Sequence, residues 1–173
     1  MSRLQIHQLL FNIGQVLQPG STFSNTETNF FSAIQEKCDP GTSFEQIRNA
    51  WNAILVDFRL ESLHFLSDIS NKYNLYLLSN TNSIHVTAFH QIFKEQTGKD
   101  NFDAYFKEAY YSNVIKKRKP YPATYQHVLE LARINAGETL FIDDSKNNID
   151  GAKEVGLYTY LLGKDERIEK IGL

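Results

Sequence analysis

Residues 139–152 read TLFIDDSKNNIDGA, and this stretch decides the fold. Four mostly apolar residues, with a length typical of a buried strand, are followed at once by two adjacent carboxylates, Asp143 and Asp144. In open α/β folds, ligands bind at the carboxyl ends of parallel strands. The stretch therefore predicts a strand that delivers two acidic side chains to a ligand-binding edge.

Similar short apolar runs recur along the chain and alternate with longer segments of helical spacing. Residues 83–96 carry an apolar stripe with Gly98 just beyond it, and a second helical pattern follows Pro120 and Pro122. This alternation predicts an α/β protein with a parallel sheet covered by helices on both faces. The five predicted strands are Leu9–Ile13, Leu75–Leu78, Ala109–Tyr111, Thr139–Ile142 and Tyr158–Leu162.

The segment from about Pro19 to Phe58 interrupts the alternation with two helical patterns in succession. Ser43, followed by Gln46, predicts a capping-box start for the second pattern, which carries Ile47, Trp51, Ile54 and Leu55. We expect residues 1–18 and 59–173 to form the core and residues 19–58 to form a small helical cap inserted after the first strand. The alternative is that these helices only complete the core and cover no substrate.

The amino-acid composition limits the binding partners and the cellular compartment that we expect for this protein. The 173 residues include 18 Lys+Arg and 20 Asp+Glu, a balance that attracts neither nucleic acid nor a membrane surface. No apolar stretch approaches the roughly 20 residues of a membrane span. Because Cys38 is the single cysteine, no disulfide can form within the chain. These features predict a cytoplasmic protein, and they leave its oligomeric state open.

Three groups of polar residues could carry chemistry, and each has a simpler interpretation. Asp143 and Asp144 suit Mg²⁺, which prefers carboxylate oxygens, but they could also only cap the next helix. Ser79 and Asn80 end a strand before a helix, where an anion could bind or an ordinary cap could form. Lys119 could neutralise a phosphate, although runs such as residues 116–119 usually form a solvated surface.

Taken together, the three groups resemble motifs II, III and IV of the haloacid dehalogenase (HAD) superfamily. The phrases LLSNTN, RKPYPATYQHVL and LFIDDSKNNIDGAKEVG are most similar to the sugar-phosphate phosphatase group near the epoxide-hydrolase N-terminal domain. The resemblance implies a Rossmann-like core, a helical cap and Mg²⁺-dependent phosphoryl transfer through an aspartyl-phosphate, with a small phosphorylated metabolite as substrate. It assigns phosphate binding to Ser79, Asn80 and Lys119, Mg²⁺ binding to Asp143 and Asp144, and loop support to Asn148.

The resemblance fails at motif I, where residues 9–17 read LLFNIGQVL. Relatives carry the attacking Asp at the position of Asn12, and a neutral amide is a poor nucleophile. Asn12 also removes one negative charge from the family's Mg²⁺ shell, so we expect weaker Mg²⁺ binding. Gly14, in the same metal-binding loop, stands where many relatives carry a general acid/base Asp. Only 67 positions separate Asn12 from Ser79, which predicts a shortened cap.

Three accounts of Asn12 remain open at this point. The chain could be a pseudoenzyme, a non-catalytic family member that keeps the phosphate-binding pocket. It could instead be a Mg²⁺-dependent phosphatase in which Asn12 is an engineered or deamidating residue. Finally, the true motif I could lie upstream in a longer protein.

Overall fold

The computed structural model of the chain describes residues 8–11, of which it gives the backbone only, and residues 27–173. None of the helices within these ranges is both long and apolar enough to cross a bilayer. The strands are β1 Gln8–Phe11, β2 Asn74–Ser79, β3 Glu108–Tyr111, β4 Thr139–Asp143 and β5 Tyr158–Leu161. The α-helices are α1 Glu27–Gln35, α2 Phe44–Asn52, α3 Leu60–Ile69, α4 Ser83–Thr97, α5 Ser112–Ile115, α6 Pro122–Ala132 and α7 Lys146–Lys153. Short 3₁₀ turns lie at Phe102–Tyr105, Ala136–Glu138 and Ile168–Lys170.

The five strands form one parallel sheet in the order β3-β2-β1-β4-β5. β1 is central: Phe11 lies between Leu77 of β2 and Ile142 of β4. The carboxyl ends of β2 and β4 therefore emerge at the same edge, on either side of the end of β1. This arrangement confirms the predicted α/β fold with a parallel sheet.

Helices cover both faces of the sheet, as predicted. Neighbouring residues of a strand point to opposite faces, so Leu140 and Ile142 join one buried cluster and Phe141 joins the other. The first cluster includes residues of α3 and α4, and the second includes residues of α6 and α7. The core is thus a three-layer sandwich, and β4 is buried along its whole length.

α1 and α2 form a smaller cluster against the start of α4. Phe31 of α1, Ile47 of α2 and Ile84 of α4 are all buried there. The predicted capping box is present, since Ser43 Oγ accepts from the Gln46 N–H and the Gln46 side chain accepts from the Ser43 N–H. The two helices therefore sit beside the carboxyl end of β2.

The end of α2 differs from the prediction. The helix stops at Asn52, so Ile54 and Leu55, which the apolar pattern placed on it, lie beyond its last turn. Ile54 is 50% exposed. Residues 54–56 read ILV, and helix propensity does not explain the difference, because these residues rank no lower than the Phe, Ile, Trp and Asn within α2. The chain makes a turn there, with the Leu55 N–H donating to the Asn52 carbonyl.

The end of α4 and the start of α6 lie where glycine and proline in the sequence predicted them. α4 ends at Thr97, one residue past the predicted end, and Gly98 follows in the left-handed region at φ 71°. α6 begins at Pro122, where the missing N–H of proline is not needed by the helix. The end of α4 and the start of α6 are therefore predicted correctly by the sequence signals.

Candidate active site

Lys119 is the centre of the candidate site. Its side chain is fully buried, and its Nζ donates to the Leu78 carbonyl at 2.8 Å and to Asp143 Oδ2 at 2.9 Å. The Nζ also lies 5.4 Å from the centroid of the Phe141 ring. Burial lowers the pKa of Lys119 to about 8, while the negative charges of Asp143 and Asp144 oppose that shift. The site thus holds a buried, paired ammonium between the ends of β2 and β4.

Asn80 fixes the backbone that carries this lysine. Its Oδ1 accepts from the Lys119 N–H at 2.8 Å, and its Nδ2 donates to the Lys119 carbonyl at 2.9 Å. Both groups are buried, so each hydrogen bond satisfies a backbone group that solvent does not reach. The side chain of Asn80 is therefore engaged with Lys119.

The two adjacent carboxylates occupy different environments. Asp143 is 2% exposed; its Oδ1 accepts from the Ser145 N–H at 2.8 Å and from Asn148 Nδ2 at 3.0 Å. Its Oδ2 accepts from Lys119 Nζ and, at 3.1 Å, from Asn148 Nδ2. An ionised carboxylate has about four acceptor positions, so these contacts use most of them. Asp144, by contrast, is exposed to solvent.

The segment between β2 and α4 lies at the same carboxyl edge of the sheet and adds further polar groups to it. Ser79 is the last residue of β2 and is buried. The Thr81 N–H donates to Ser112 Oγ at 2.9 Å, and the Ser112 hydroxyl donates to the Thr81 carbonyl at 3.0 Å. Asn82 caps the 15-residue α4 by accepting from the His85 N–H. The positive end of α4 and the charge of Lys119 are both favourable for an anion at this edge.

Three contributions to the site were missed by the sequence analysis. The Tyr125 hydroxyl donates to the Asn148 carbonyl at 2.7 Å and so ties α6 to α7. The Thr124 hydroxyl donates to the Arg118 carbonyl at 2.6 Å. Gly151 in α7 lies close to residues 116–121, the loop that carries Lys119 (the lysine loop): a Cβ at Gly151 would be 1.9 Å from the Pro120 carbonyl oxygen. A glycine inside a helical pattern was the available signal, because it often marks a close packing contact.

The basic run at residues 116–119 divides into two parts. Lys116 and Lys117 are exposed, as expected of a solvated surface, whereas Lys119 is fully buried against Asp143. The solvated-surface alternative is therefore correct for the first two residues and wrong for Lys119. Arg118 is partly buried between them.

The predicted site residues fall into two sets. The first set lies at the carboxyl edge: Asn80, Lys119, Asp143 and Asn148 form one hydrogen-bonded group there, Ser79 ends β2, and Asp144 directly follows β4. Asn12 and Gly14 lie outside the residues that the structure describes; β1 is described only to Phe11. The assigned roles in phosphate and metal binding remain predictions.

The donor set at this edge fits magnesium better than a softer metal. Asp143 and Asp144 offer carboxylate oxygens, and the part of the chain that the structure describes contains no cluster of three His, Cys, Asp or Glu side chains. Mg²⁺ commonly binds through one or two carboxylates and keeps several waters, with substrate phosphate completing its shell. Asp144, which is exposed at this edge, is therefore the carboxylate that such an ion can reach most easily.

Comparison with known proteins agrees with this geometry. Residues 23–156 match the family model described as haloacid dehalogenase-like hydrolase. The chain belongs to this family of hydrolases. The resemblance drawn from motifs II, III and IV is thereby confirmed.

Individual relatives include a solved enzyme and two phosphatases. One solved structure is that of the wild-type HAD family enzyme bt-2542 from Bacteroides thetaiotaomicron, in complex with magnesium and inorganic phosphate. It is 30% identical to this chain and superimposes with a TM-score of 0.82; the match covers 94% of this chain and 97% of bt-2542. D-ribitol-5-phosphate phosphatase from B. thetaiotaomicron is 28% identical over 76% of this chain and 63% of its own length. Sesquiterpene phosphatase AstK from Aspergillus oryzae is 34% identical over 48% of this chain and 39% of its own. The chain thus spans less than two thirds of the curated relatives it matches.

Proposed function

We propose that this protein binds a small phosphorylated metabolite with Mg²⁺ at the carboxyl edge of its sheet, and that its phosphatase activity is impaired by Asn12. The observation that carries the proposal is the buried Lys119–Asp143 pair, held in position by Asn80 and Asn148. A fully buried ammonium has a high desolvation cost, so its retention beside a helix N-terminus favours a role in holding negative charge.

Each residue has a distinct part in this proposal. Lys119 supplies positive charge to the phosphate, and Ser79 with the backbone around Asn80 supplies hydrogen bonds. Asp143 orients Lys119 through its buried hydrogen bonds, and the exposed Asp144 provides carboxylate oxygens for Mg²⁺. When bound, Mg²⁺ would neutralise phosphate charge and so favour attack on phosphorus.

Asn12 is the reason to expect impaired catalysis. It directly follows Phe11, the last described residue of the central strand, in the sequence. In the family, the residue at this position attacks phosphorus as a carboxylate. An amide has no available negative oxygen and forms no ordinary acyl-phosphate.

We further propose that α1 and α2, within residues 19–58, act as a small lid over the site. Their packing against the first turn of α4, beside the end of β2, supports this role.

We also propose a cytoplasmic location for the protein, with which its single cysteine, Cys38, is consistent.

An active phosphatase is the second candidate. The similarity to D-ribitol-5-phosphate phosphatase favours it. Under this candidate Asn12 would be an engineered or deamidated residue.

A comparison of the unmodified protein with Asn12→Asp tests the proposal. Both are assayed for hydrolysis of p-nitrophenyl phosphate with Mg²⁺ and with EDTA, and for binding of inorganic phosphate by calorimetry. We expect the unmodified protein to bind phosphate but to turn over substrate about a thousandfold or more slowly than Asn12→Asp, as when other enzyme nucleophiles are removed. Asn74→Asp is the matched control, because it makes the same change at the opposite, amino end of β2.

Two outcomes contradict the proposal. Robust turnover by the unmodified protein, with an intact mass that excludes deamidation, would show that Asn12 does not impair catalysis. A folded Asn12→Asp variant that binds Mg²⁺ yet remains inert would show that the scaffold itself lacks the activity.

A further inference from the structure

His85, in the first turn of α4, is a buried residue whose side chain reaches another helix. It is 5% exposed, and its Nε2 lies 3.1 Å from the Trp51 carbonyl oxygen in the last turn of α2. A carbonyl oxygen only accepts hydrogen bonds, so the imidazole carries a proton on Nε2 and donates it. This hydrogen bond joins α4 of the core to α2 of the proposed lid.

The Trp51 carbonyl receives no hydrogen bond from the next turn of its own helix. In a continuing helix the Leu55 N–H would donate to it, but α2 ends at Asn52 and the Leu55 N–H donates to the Asn52 carbonyl instead. His85 therefore supplies, from a different helix, the donor that the end of α2 lacks.

The backbone of His85 belongs to the end of α4 that faces the candidate phosphate site. Its N–H donates to Asn82 Oδ1 at 2.9 Å, and this hydrogen bond caps the start of α4. The positive end of a helix favours a bound anion. One residue thus contacts the cap beside the phosphate site through its backbone and the lid through its side chain.

Apolar packing also joins the lid to α4, but it is less directional. Ile84 packs with Phe31 and Ile47, and apolar burial depends on area rather than on orientation. The hydrogen bond from His85 to Trp51 has a preferred distance and angle. It therefore determines where the end of α2 lies against α4.

The chain that leaves α2 is anchored again at the other end of α4. The Phe58 N–H donates to Gln96 Oε1 at 2.8 Å, and Gln96 Nε2 donates to the Phe58 carbonyl at 2.6 Å. Between the two anchors, Ile54 is 50% and Val56 is 80% exposed. A segment with so little packing resists backbone rotation weakly, so the contact made by His85 restrains α2.

We infer that His85 is a positioning residue: its imidazole holds the end of α2 beside the phosphate site, so that the lid contacts the organic part of a bound phosphate ester. The inference rests on the proposed function, because it assumes that phosphate binds at the start of α4 and that α1 and α2 form a lid. His85 acts through Trp51 and not by contact with the ligand.

Two substitutions of His85 isolate the effect of the hydrogen bond. His85→Phe keeps a ring beside Trp51 but removes the donor, whereas His85→Gln keeps an N–H donor at a similar reach. His64→Phe is the matched control, because it makes the same change at an exposed position of α3. Circular dichroism shows whether each variant is folded; should His85→Phe not fold, His85→Leu, which also lacks a donor, takes its place.

Tryptophan fluorescence measures the position of the lid. Trp51 is the single tryptophan of the chain, so its emission reports on the end of α2. Loss of one hydrogen bond should raise the population of displaced lid about two- to tenfold. Acrylamide should therefore quench Trp51 more strongly in His85→Phe than in the unmodified protein, and equally in His85→Gln, His64→Phe and the unmodified protein.

Calorimetry with Mg²⁺ measures the effect of the lid on binding, with inorganic phosphate and phenyl phosphate as probes. The ring of phenyl phosphate extends beyond the phosphate group and is the part that the lid would contact. His85→Phe should weaken phenyl phosphate binding about two- to tenfold and leave inorganic phosphate binding unchanged. His85→Gln should restore the affinity for phenyl phosphate.

The outcomes separate the inference from the proposed function. If His85→Phe binds phenyl phosphate as tightly as the unmodified protein does, or loses the same factor for both probes, His85 has only a structural role and the inference is wrong, while the phosphate site stands. The inference is also wrong if His85→Gln behaves like His85→Phe. If the unmodified protein binds no inorganic phosphate with Mg²⁺, the proposed function is wrong and the inference falls with it.

Discussion

Replacement of Gly151 by alanine tests whether close packing of α7 against the lysine loop positions the site. A Cβ at residue 151 would lie 1.9 Å from the Pro120 carbonyl oxygen and 3.2 Å from Tyr125 Cε2, whereas ordinary contacts begin near 3.4 Å. Either α7 or the loop must therefore move by more than an ångström. Because the close contact is a backbone carbonyl, no side-chain rotation can relieve it.

Two opposing effects decide the sign of the change. Alanine in a helix is favoured over glycine by about 0.5–1 kcal/mol. Overpacking a well-packed interior costs about 1–3 kcal/mol, and here the clash is severe. With the cost at the upper end of that range, we expect a net loss of about 2 kcal/mol in the free energy of unfolding. At about 2–4 °C per kcal/mol for a chain of this size, Tm should fall by roughly 4–8 °C.

Urea titration and thermal melting, followed by circular dichroism, measure this loss, and phosphate calorimetry measures its effect on the site. Gly137→Ala is the matched control, since a Cβ there has no atom within 4 Å. Gly137→Ala should leave both stability and phosphate affinity nearly unchanged. If Gly151→Ala equals or exceeds the stability of the unmodified protein, the packing explanation is refuted.

Three further substitutions each remove one side chain's hydrogen bonds, at the site or at the start of α2. Asn80→Ala leaves the buried Lys119 N–H and carbonyl unpaired, so the free energy of unfolding in urea should fall by about 2–4 kcal/mol and phosphate affinity should fall with it. Tyr125→Phe removes the hydroxyl that donates to Asn148 and should cost about 1–2 kcal/mol by the same assay; an unchanged urea midpoint would contradict this. Ser43→Ala removes the α2 cap and should cost about 1 kcal/mol, seen as faster amide exchange in α2 with phosphate affinity unchanged; equal exchange would count against it.

The fold was largely predictable because buried parallel strands are short, continuous apolar runs. β2 to β5 agree with the predicted runs to within one residue, the described start of β1 lies one residue before the predicted one, and Gly98 and Pro122 marked the helix boundaries. α3 was assigned no element in the sequence analysis. The apolar residues just before it, which include the exposed Val56, obscure the start of its pattern of Leu63, Leu66 and Ile69.

The sequence predicted which residues form the candidate site, but it did not predict how deeply each side chain is buried. Two adjacent aspartates look equivalent in the sequence, yet Asp143 is buried against Lys119 and Asp144 is exposed. The difference arises because Asp143 is the last residue of β4, within the sheet, while Asp144 lies past the strand's end. Likewise, Lys119 differs from its exposed neighbours Lys116 and Lys117 only through its contacts with Leu78 of β2 and Asp143 of β4, which the sequence does not show.

The central position of β1 has a consequence for how the protein folds. β1 pairs with β2 and with β4, which lie far away along the chain, so these pairings close long loops. Such non-local contacts slow folding. During synthesis, β1 must wait until residues 139–143 have emerged before both of its edges are covered. Until then its backbone groups remain open to pairing with other chains.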